Sequence, residues 1–365
     1  MTTRYVGPGG SDANNGLSWA NRKLTLNGVE DSPVAAGDVV YVGPGVYREM
    51  LTLDVSGSAD NLITYIGDYD GSHTDGVGGV VRITGSDDDQ TATRASGVTG
   101  SSKNYRTFQG FHFDMVTTGS HYNPAGSNQV IEDCYFGISN NNAAISITSG
   151  TALTVRRCCF INGGSGSRYG VSFNNGTAVN NAGHVVENCL FVAVARGVDT
   201  ARVGGITIRN SLFYSVQSTG VRVSGALTAG QTVTVNNCIF VGCNVALMAT
   251  TTAEFVENYN ALFANTTDRT SVSTGANSNT LPWLPDSRWF FEMVGGGAMV
   301  TPFDMAGYSA LVNVAGTSPP SADMRGTTVQ GAQREWGALE FDSTLDIEVG
   351  SGAGIYRRVA RTTGR

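Results

Sequence analysis

Along the middle of the chain, short stretches of alternating apolar and polar residues are separated by turn-forming residues, the pattern of many short half-buried strands rather than of helices. One stretch recurs. Each copy is an alternating strand, then a polar or turn-type residue, a small residue, a variable residue and an aromatic. The copies are Phe108-Gln109-Gly110-Phe111-His112-Phe113, Ile131-Glu132-Asp133-Cys134-Tyr135-Phe136, Val155-Arg156-Arg157-Cys158-Cys159-Phe160, Val186-Glu187-Asn188-Cys189-Leu190-Phe191, Ile208-Arg209-Asn210-Ser211-Leu212-Phe213 and Val235-Asn236-Asn237-Cys238-Ile239-Phe240. A looser copy at Val256-Glu257-Asn258 closes on Leu262-Phe263.

From Phe113 the phenylalanines follow at 23, 24, 31, 22, 27 and 23 residues, a mean of 25. A period in that range predicts a solenoid with one coil per repeat. Equivalent residues of successive coils then lie above one another, roughly 4.8 Å apart. The phenylalanines become an internal stack, and Cys134, Cys158, Cys189, Ser211 and Cys238 a column of small buried residues. Asp133, Asn188, Asn210 and Asn237 form a turn ladder, because Asn and Asp tolerate the left-handed backbone. A linear column of thiols does not converge tetrahedrally, so the cysteines read as packed, reduced core residues, with disulfides between neighbouring coils as the less favoured alternative, and no metal site is expected there. A second series, Tyr169-Gly170-Val171-Ser172, Arg196-Gly197-Val198-Asp199 and Thr219-Gly220-Val221-Arg222, points its valines inward. Ser172, Asp199 and Arg222 are expected in one exposed line and Tyr169, Arg196 and Thr219 in another.

Composition agrees with many turns and many strands: 48 glycines and 15% charged residues in 365. Lysine occurs only at Lys23 and Lys103. The net charge of −7 and pI near 5.1 argue against nucleic acid, which requires a basic face to displace counterions, and against an anionic membrane surface. The opening residues have neither a charged nor an apolar leader region, so synthesis without a Sec-type signal is expected. No run approaches the length of a bilayer span.

The two ends carry a family resemblance. Tyr5-Val6 with Gly10-Ser11-Asp12 and Gly16, then Gly37-Asp38-Val39-Val40-Tyr41-Val42 and Gly45-Val46-Tyr47-Arg48-Glu49, resemble the N-terminal coils of the pectate-lyase-like right-handed β-helix superfamily, which chondroitinase-B-like lyases and many bacterial and phage proteins share. Ser309-Ala310-Leu311-Val312-Asn313, Asp323, Gly326 and Trp336-Gly337-Ala338-Leu339-Glu340 resemble the closing segment of such helices. The resemblance spans about residues 4–341. It implies an all-β, right-handed single-stranded parallel β-helix with capped ends. The expected divisions are an N-terminal cap and first strand over 1–36 with Leu17, Trp19 and Leu24, coils over 37–281, an irregular aromatic-rich segment and closing coils over 282–341, and an extension over 342–365 that is either disordered or in contact with a neighbouring subunit. Within 282–341, the stretch Pro282 to Met305, with Trp283, Trp289, Phe290 and Phe291, covers the far end or the side of the helix.

One such fold hosts lyases, hydrolases, epimerases and non-catalytic virion proteins, so function rests on the site. A lyase of this kind needs a cation to neutralise a uronate carboxylate and a base for the C5 proton. The catalytic lysine of chondroitinase-like relatives has no counterpart in the repeats. The Asn-Thr-Asp, Asp-Asp, Gly-His-Gly and Arg-Ile-Lys sets of polygalacturonase-like sequences are missing too. Asp87-Asp88-Asp89 reads as a solvated turn and His184 as a packing histidine. Asp12, Asn14 and Asn15 supply fewer oxygens than calcium requires and read as a turn. No catalytic residue, metal or cofactor is therefore assigned. Tyr169, Arg196, Asp199, Arg202 and Arg222 are the candidate carbohydrate-binding residues. The expected role is a non-catalytic virion protein of a phage, a capsid decoration or tail accessory protein with glycan-adhesive capacity. It is expected to form a homotrimer by analogy with virion β-helices and to contact the major capsid protein and surface polysaccharide. The alternative is an extracellular polysaccharide-active enzyme, a lyase before a glycoside hydrolase.

Overall fold

The computed structural model describes residues 1–281 apart from 33, 101, 139–141, 163–167, 180, 181, 251–253 and 276, together with 345–349 and 356–360. The chain winds as a right-handed parallel β-helix whose coils each visit three sheets in turn. The first sheet has ten strands, from Thr3–Val6 to Phe255–Asn258. The second has ten, from Gly45–Tyr47 to Asn279–Leu281, and the third has nine, from Leu51–Thr52 to Thr267–Thr270. Pairing is parallel and in register from coil to coil, apart from shifts beyond Asn174 and Thr200 in the third sheet.

Register converts the sequence repeat into columns. Phe113, Phe136, Phe160, Phe191, Phe213 and Phe240 are fully buried and stack face to face, with successive ring centroids 5.0, 5.0, 4.8, 4.6 and 4.6 Å apart. Between the first and second sheets the turn ladder adopts the left-handed backbone at Asp133, Asn188, Asn210 and Asn237, with φ of 55°, 53°, 50° and 55°. Arg157 occupies the same rung at φ 53°, and its guanidinium is held by the Asp133 carboxylate at 2.7 and 2.8 Å. The following residues, Cys134, Cys158, Cys189, Ser211 and Cys238, are buried, and all six cysteines are free thiols. Where serine replaces cysteine, its hydroxyl accepts from the Cys189 amide at 3.1 Å and donates to the Arg209 carbonyl at 3.0 Å, so the polar substitution leaves no orphan group.

The glycine series has a packing cause. A Cβ on Gly170, Gly197 or Gly220 would lie 2.4, 2.4 or 2.8 Å from a ring carbon of Phe191, Phe213 or Phe240. Each phenylalanine therefore reaches across the interior into the space that a third-sheet side chain would fill.

The last repeat is shifted by one residue from its expected alignment. Val235 pairs with Glu257 and Phe240 with Leu262, so Leu262 closes the aromatic column and Phe263 faces outward. The apolar pattern at Val256 misleads because Val256 is 47% exposed and Glu257 points inward. Glu257 ends the helix as a polar cap. Its carboxylate accepts from Arg269 Nε at 2.9 Å, the Gly275 amide at 2.7 Å and Asn260 Nδ2 at 2.8 Å.

At the other end the cap is the helix Leu26–Asp31, with Thr25 as its N-cap. Leu26, Val29 and Val34 are buried, whereas Leu17 and Leu24 are exposed. The helical i, i+3 spacing aims Leu26 and Val29 onto the first coils, and the Trp19 ring fills the space that a side chain on Gly7 or Gly43 would need. Glu30 enters the interior with them and pairs with the fully buried Arg106 at 2.5 and 3.0 Å. The closing segment, the Pro282 to Met305 stretch and most of the extension lie outside the described residues. In the extension, Leu345–Val349 and Tyr356–Ala360 pair antiparallel.

Two results are expected. Gly197→Ala should lower unfolding stability by about 1–3 kcal/mol through overpacking against Phe213, and a denaturation midpoint equal to the parent's would refute the packing account. His121 and His184 are buried, His184 accepting from the Leu153 amide, and burial pushes both down to about 4. Because their folded values lie below the unfolded value of about 6.5, the unfolded chain binds more protons between those limits. Stability is full above about pH 6.5 and falls towards pH 4, by up to roughly 1.4 kcal/mol per histidine per pH unit. His121→Leu should flatten that decline in urea titrations across pH, and an unchanged slope would refute it.

Candidate functional site

On the third sheet the strands Tyr169–Val179, Arg196–Val203 and Thr219–Gly225 lie side by side. Val171, Val198 and Val221 are buried inward, as the alternation requires. Register then superposes Tyr169 on Arg196 and Thr219, and Ser172 on Asp199 and Arg222. Four of the five candidate residues converge. Arg196 donates to the Tyr169 hydroxyl at 2.6 Å, with its guanidinium carbon 4.6 Å from the centre of that ring. Its Nη1 is 3.7 Å from Asp199. Arg222 grips the same carboxylate with two nitrogens, Nη2 at 3.1 Å. The fifth candidate, Arg202, stands exposed three residues beyond Asp199, roughly 10 Å along the strand.

The expected exposure of these lines is corrected. Ser172, Asp199 and Thr219 point outward yet are buried. The Arg222 guanidinium spans to Asp199 on the coil before it, and Thr219 sits between Arg196 and Val245 in its column. The surface of the cluster is thus two arginines and a tyrosine over a sunken carboxylate, with side-chain exposures of 21% for Arg196, 22% for Arg222 and 9% for Asp199. Two guanidiniums against one carboxylate leave a net positive charge on a chain of net charge −7. Nε of Arg196 is buried and has no acceptor among the described residues. A buried donor without a partner calls for a water or a ligand oxygen. The cluster can hold an anionic oxygen group between its arginines and offers a phenolic hydroxyl beside it.

A second constellation escaped the sequence reading. On the second sheet, Arg82 pairs with Asp114 at 2.8 and 3.1 Å and with Asp89 at 2.6 Å, while Arg48 holds Asp89 at 2.6 and 3.0 Å. His112 lies 3.7 Å from Asp114 and stacks edge-on against Tyr135, and burial holds its pKa below the usual value. The Asp87-Asp88-Asp89 loop is therefore pinned to the sheet rather than merely solvated: Arg94 takes Asp87, and Asp88 accepts from the Gln90 and Thr91 amides. The signal available beforehand was the arginine at a strand position, Arg82, in register with His112. Its charges are mutually neutralised, so it is a loop anchor.

The remaining candidates keep structural roles. Asp12 accepts from the Leu24 and Thr25 amides and the Thr25 hydroxyl at 2.9, 3.0 and 2.9 Å, which makes it the organiser of a turn. His184 packs on Phe173 with 4.6 Å between ring centres.

No family model matches the chain, and no curated relative matches it. Among solved structures, it is similar to a rhamnogalacturonan lyase (TM-score 0.54, 18% identity, covering 72% of this chain and 74% of that one). It is likewise similar to the pectate lyase Pel9A (TM-score 0.54, 16% identity, 94% and 97%). A GH136 lacto-N-biosidase from Eubacterium ramulus matches with TM-score 0.52 and 12% identity, over 72% of this chain and 56% of that one. These likenesses show the right-handed parallel β-helix that the chain shares with glycan-active proteins.

If the cluster is held as described, Arg222→Met strands the Asp199 carboxylate with one distant arginine. Unfolding stability should drop by about 1–3 kcal/mol, and Arg222→Lys should recover part of it because charge is retained while the two-nitrogen grip is lost. Equal stability of Arg222→Met and the parent in chemical denaturation would contradict the arrangement.

Proposed function

We propose that this chain acts on an acidic polysaccharide, with a uronate carboxylate seated between Arg196 and Arg222 on the outer face of the third sheet. The observation that carries the reading is the buried Nε of Arg196, a donor without an acceptor among the described residues, in a cluster of net positive charge. An outward ladder arginine in a purely structural role satisfies its donors on the neighbouring coil, as Arg209 does on Glu187. Arg196 does so only in part. The fold's likeness to a rhamnogalacturonan lyase and a pectate lyase supports glycan chemistry for the same architecture.

The residue set favours elimination over hydrolysis. In β-elimination the C5 proton passes to a base, here the Tyr169 oxygen beside Arg196, the carboxylate becomes an enolate-like dianion, and the C4–O bond breaks to leave a C4–C5 double bond while the departing C4 oxygen takes the proton from Tyr169. Guanidiniums aimed at the carboxylate stabilise the charge that develops. The Tyr169 hydroxyl, beside Arg196, is the proton-carrying group within reach of the same pocket. Hydrolysis requires two carboxyl groups roughly 5–9.5 Å apart across the bond, and Asp199 is the carboxylate that the described cluster contains. A second reading is favoured by the pairing of Asp199 with Arg222, which satisfies charge without leaving a free base. On that reading the chain is a non-catalytic glycan-adhesive phage component, a capsid decoration or tail accessory protein forming a homotrimer that contacts the major capsid protein.

The purified protein incubated with a panel of pectic, alginate and glycosaminoglycan substrates should produce unsaturated ends absorbing near 235 nm. Arg196→Ala should reduce that rate by about 100-fold, the order of one lost charge-stabilising donor, while leaving the fold intact by circular dichroism. Retardation in glycan-containing gels without absorbance gain would select the adhesive reading. Neither retardation nor turnover on any acidic glycan would exclude both.

A further inference from the structure

The anchor on the second sheet leaves two adjoining side chains unused. Phe113 and Phe136 point inward, so the residues on either side of each point outward. His112 and Tyr135 are thereby neighbours in one outward column, and Asp114 and Gly137 are neighbours in the next. Arg82 takes both oxygens of Asp114. Among the described residues, by contrast, neither the His112 ring nitrogens nor the Tyr135 hydroxyl has a hydrogen-bond partner. The His112 side chain is 30% exposed, and Tyr135 is half-buried. Gly137 lies at the centre of this group. Its backbone is ordinary strand, so no turn demands glycine there. Packing does not demand it either: a Cβ would sit 3.4 Å from Tyr135 Cε1, 3.5 Å from Asp114 Cβ and 3.8 Å from His112 Nε2, all ordinary contacts and unlike the clash at Gly197. The glycine instead leaves an opening on the outer face. Its walls along the column are Asp114 on the coil before and the half-buried Ile161 on the coil after, two ladder steps or roughly 10 Å apart.

The chemistry of the niche selects its occupant. His112 Nε2 and the Asp114 carboxylate are 3.7 Å apart, too far for a direct hydrogen bond and the right separation for two groups that share a third oxygen between them. Burial holds His112 below its usual value, so the ring is neutral and offers one acceptor and one donor. A carboxylate gripped by a single guanidinium keeps lone pairs for a further donor. Arg48 and Arg82 cancel Asp89 and Asp114, so these four charges give the niche no net charge with which to hold a uronate or a phosphate. An aromatic ring, an aliphatic wall and a few convergent polar groups suit a small polyhydroxylated molecule. We propose that the niche over Gly137 binds one neutral sugar residue, whose apolar face lies against Tyr135 and Ile161 and one of whose hydroxyls is shared by His112 and Asp114. The site lies on a different sheet from the Arg196–Arg222 cluster and stands whether or not that cluster takes a uronate.

Saturation-transfer NMR on the full chain tests this, with tetrasaccharides of galactose, arabinose, xylose, glucose and mannose as probes and tetragalacturonate as the acidic comparison. At least one neutral tetrasaccharide should receive saturation from the parent protein. Gly137→Val, which fills the opening without removing any of the polar groups, should abolish that transfer while the circular dichroism stays native. His112→Ala should weaken binding of the same tetrasaccharide by about tenfold, the order of one lost hydrogen bond. Arg196→Ala, on the third sheet, should leave neutral binding unchanged. Transfer to none of the neutral probes overturns the proposal, as does equal transfer in the parent and a natively folded Gly137→Val. Neutral binding that survives Gly137→Val but is lost in Arg196→Ala overturns it by placing the sugar on the third sheet. Should Gly137→Val lose its native circular dichroism, His112→Ala decides, and an affinity equal to the parent's overturns the proposal. Neutral binding at the niche without unsaturated product from any acidic glycan upholds this site while the elimination reading fails.

Discussion

In-register parallel stacking governs this molecule, since each strand's neighbours are the equivalent strands one coil before and one coil after. Side chains in one column are then forced to within about 5 Å of each other, whatever their chemistry. Residues that tolerate their own kind survive in such a column. Phenylalanine stacks on phenylalanine, thiols line up beside thiols, and valine rests on isoleucine. The consequence reaches across the interior as well, because the phenylalanine rings extend to the third sheet and oblige Gly170, Gly197 and Gly220 to stay without side chains.

Charges face the same constraint with the opposite sign. Like charges cannot sit one above the other, so the outward columns alternate partners between coils: Glu132 with Arg156, Glu187 with Arg209, and Asp199 with Arg222. Such pairs neutralise one another and hold their side chains over the sheet, which is why outward positions become half-buried. Within this scheme the candidate site is a local excess. Arg196 joins a pair that is already satisfied, and it brings an additional positive charge and an unused donor. The chemical capacity of the surface arises where the ladder's bookkeeping fails to balance.

The ends of the stack solve a different problem, the exposed rim of a column that has no next coil. At the N-terminal end a short helix inserts Leu26 and Val29, and Glu30 is anchored on Arg106. At the other end Glu257 replaces an aliphatic residue at a core position and gathers Arg269, Asn260 and the Gly275 amide around itself. Both caps place a carboxylate inside the stack and satisfy it completely, as a buried charge requires.

The repeat, its period, the inward phenylalanines, the cysteine column and the left-handed turn residues were legible in the sequence because each depends on a local alternation of two and on residue types with narrow backbone preferences. The Tyr169, Arg196, Asp199 and Arg222 positions were legible for the same reason, as outward neighbours of inward valines. Their convergence was not. Whether Arg222 folds back on Asp199, whether Arg196 reaches Tyr169, and whether Arg202 stands apart depend on rotamers and coil spacing, which no pattern along one chain encodes. The shift of the last repeat and the Arg48–Asp89–Arg82–Asp114 anchor were hidden likewise, since each joins residues from different coils. Periodicity therefore determined the architecture, because it acts between neighbours in sequence. Tertiary packing decided the site, because the electrostatics that distinguish a ligand-binding arginine from a ladder arginine exist only between residues that the stack brings together.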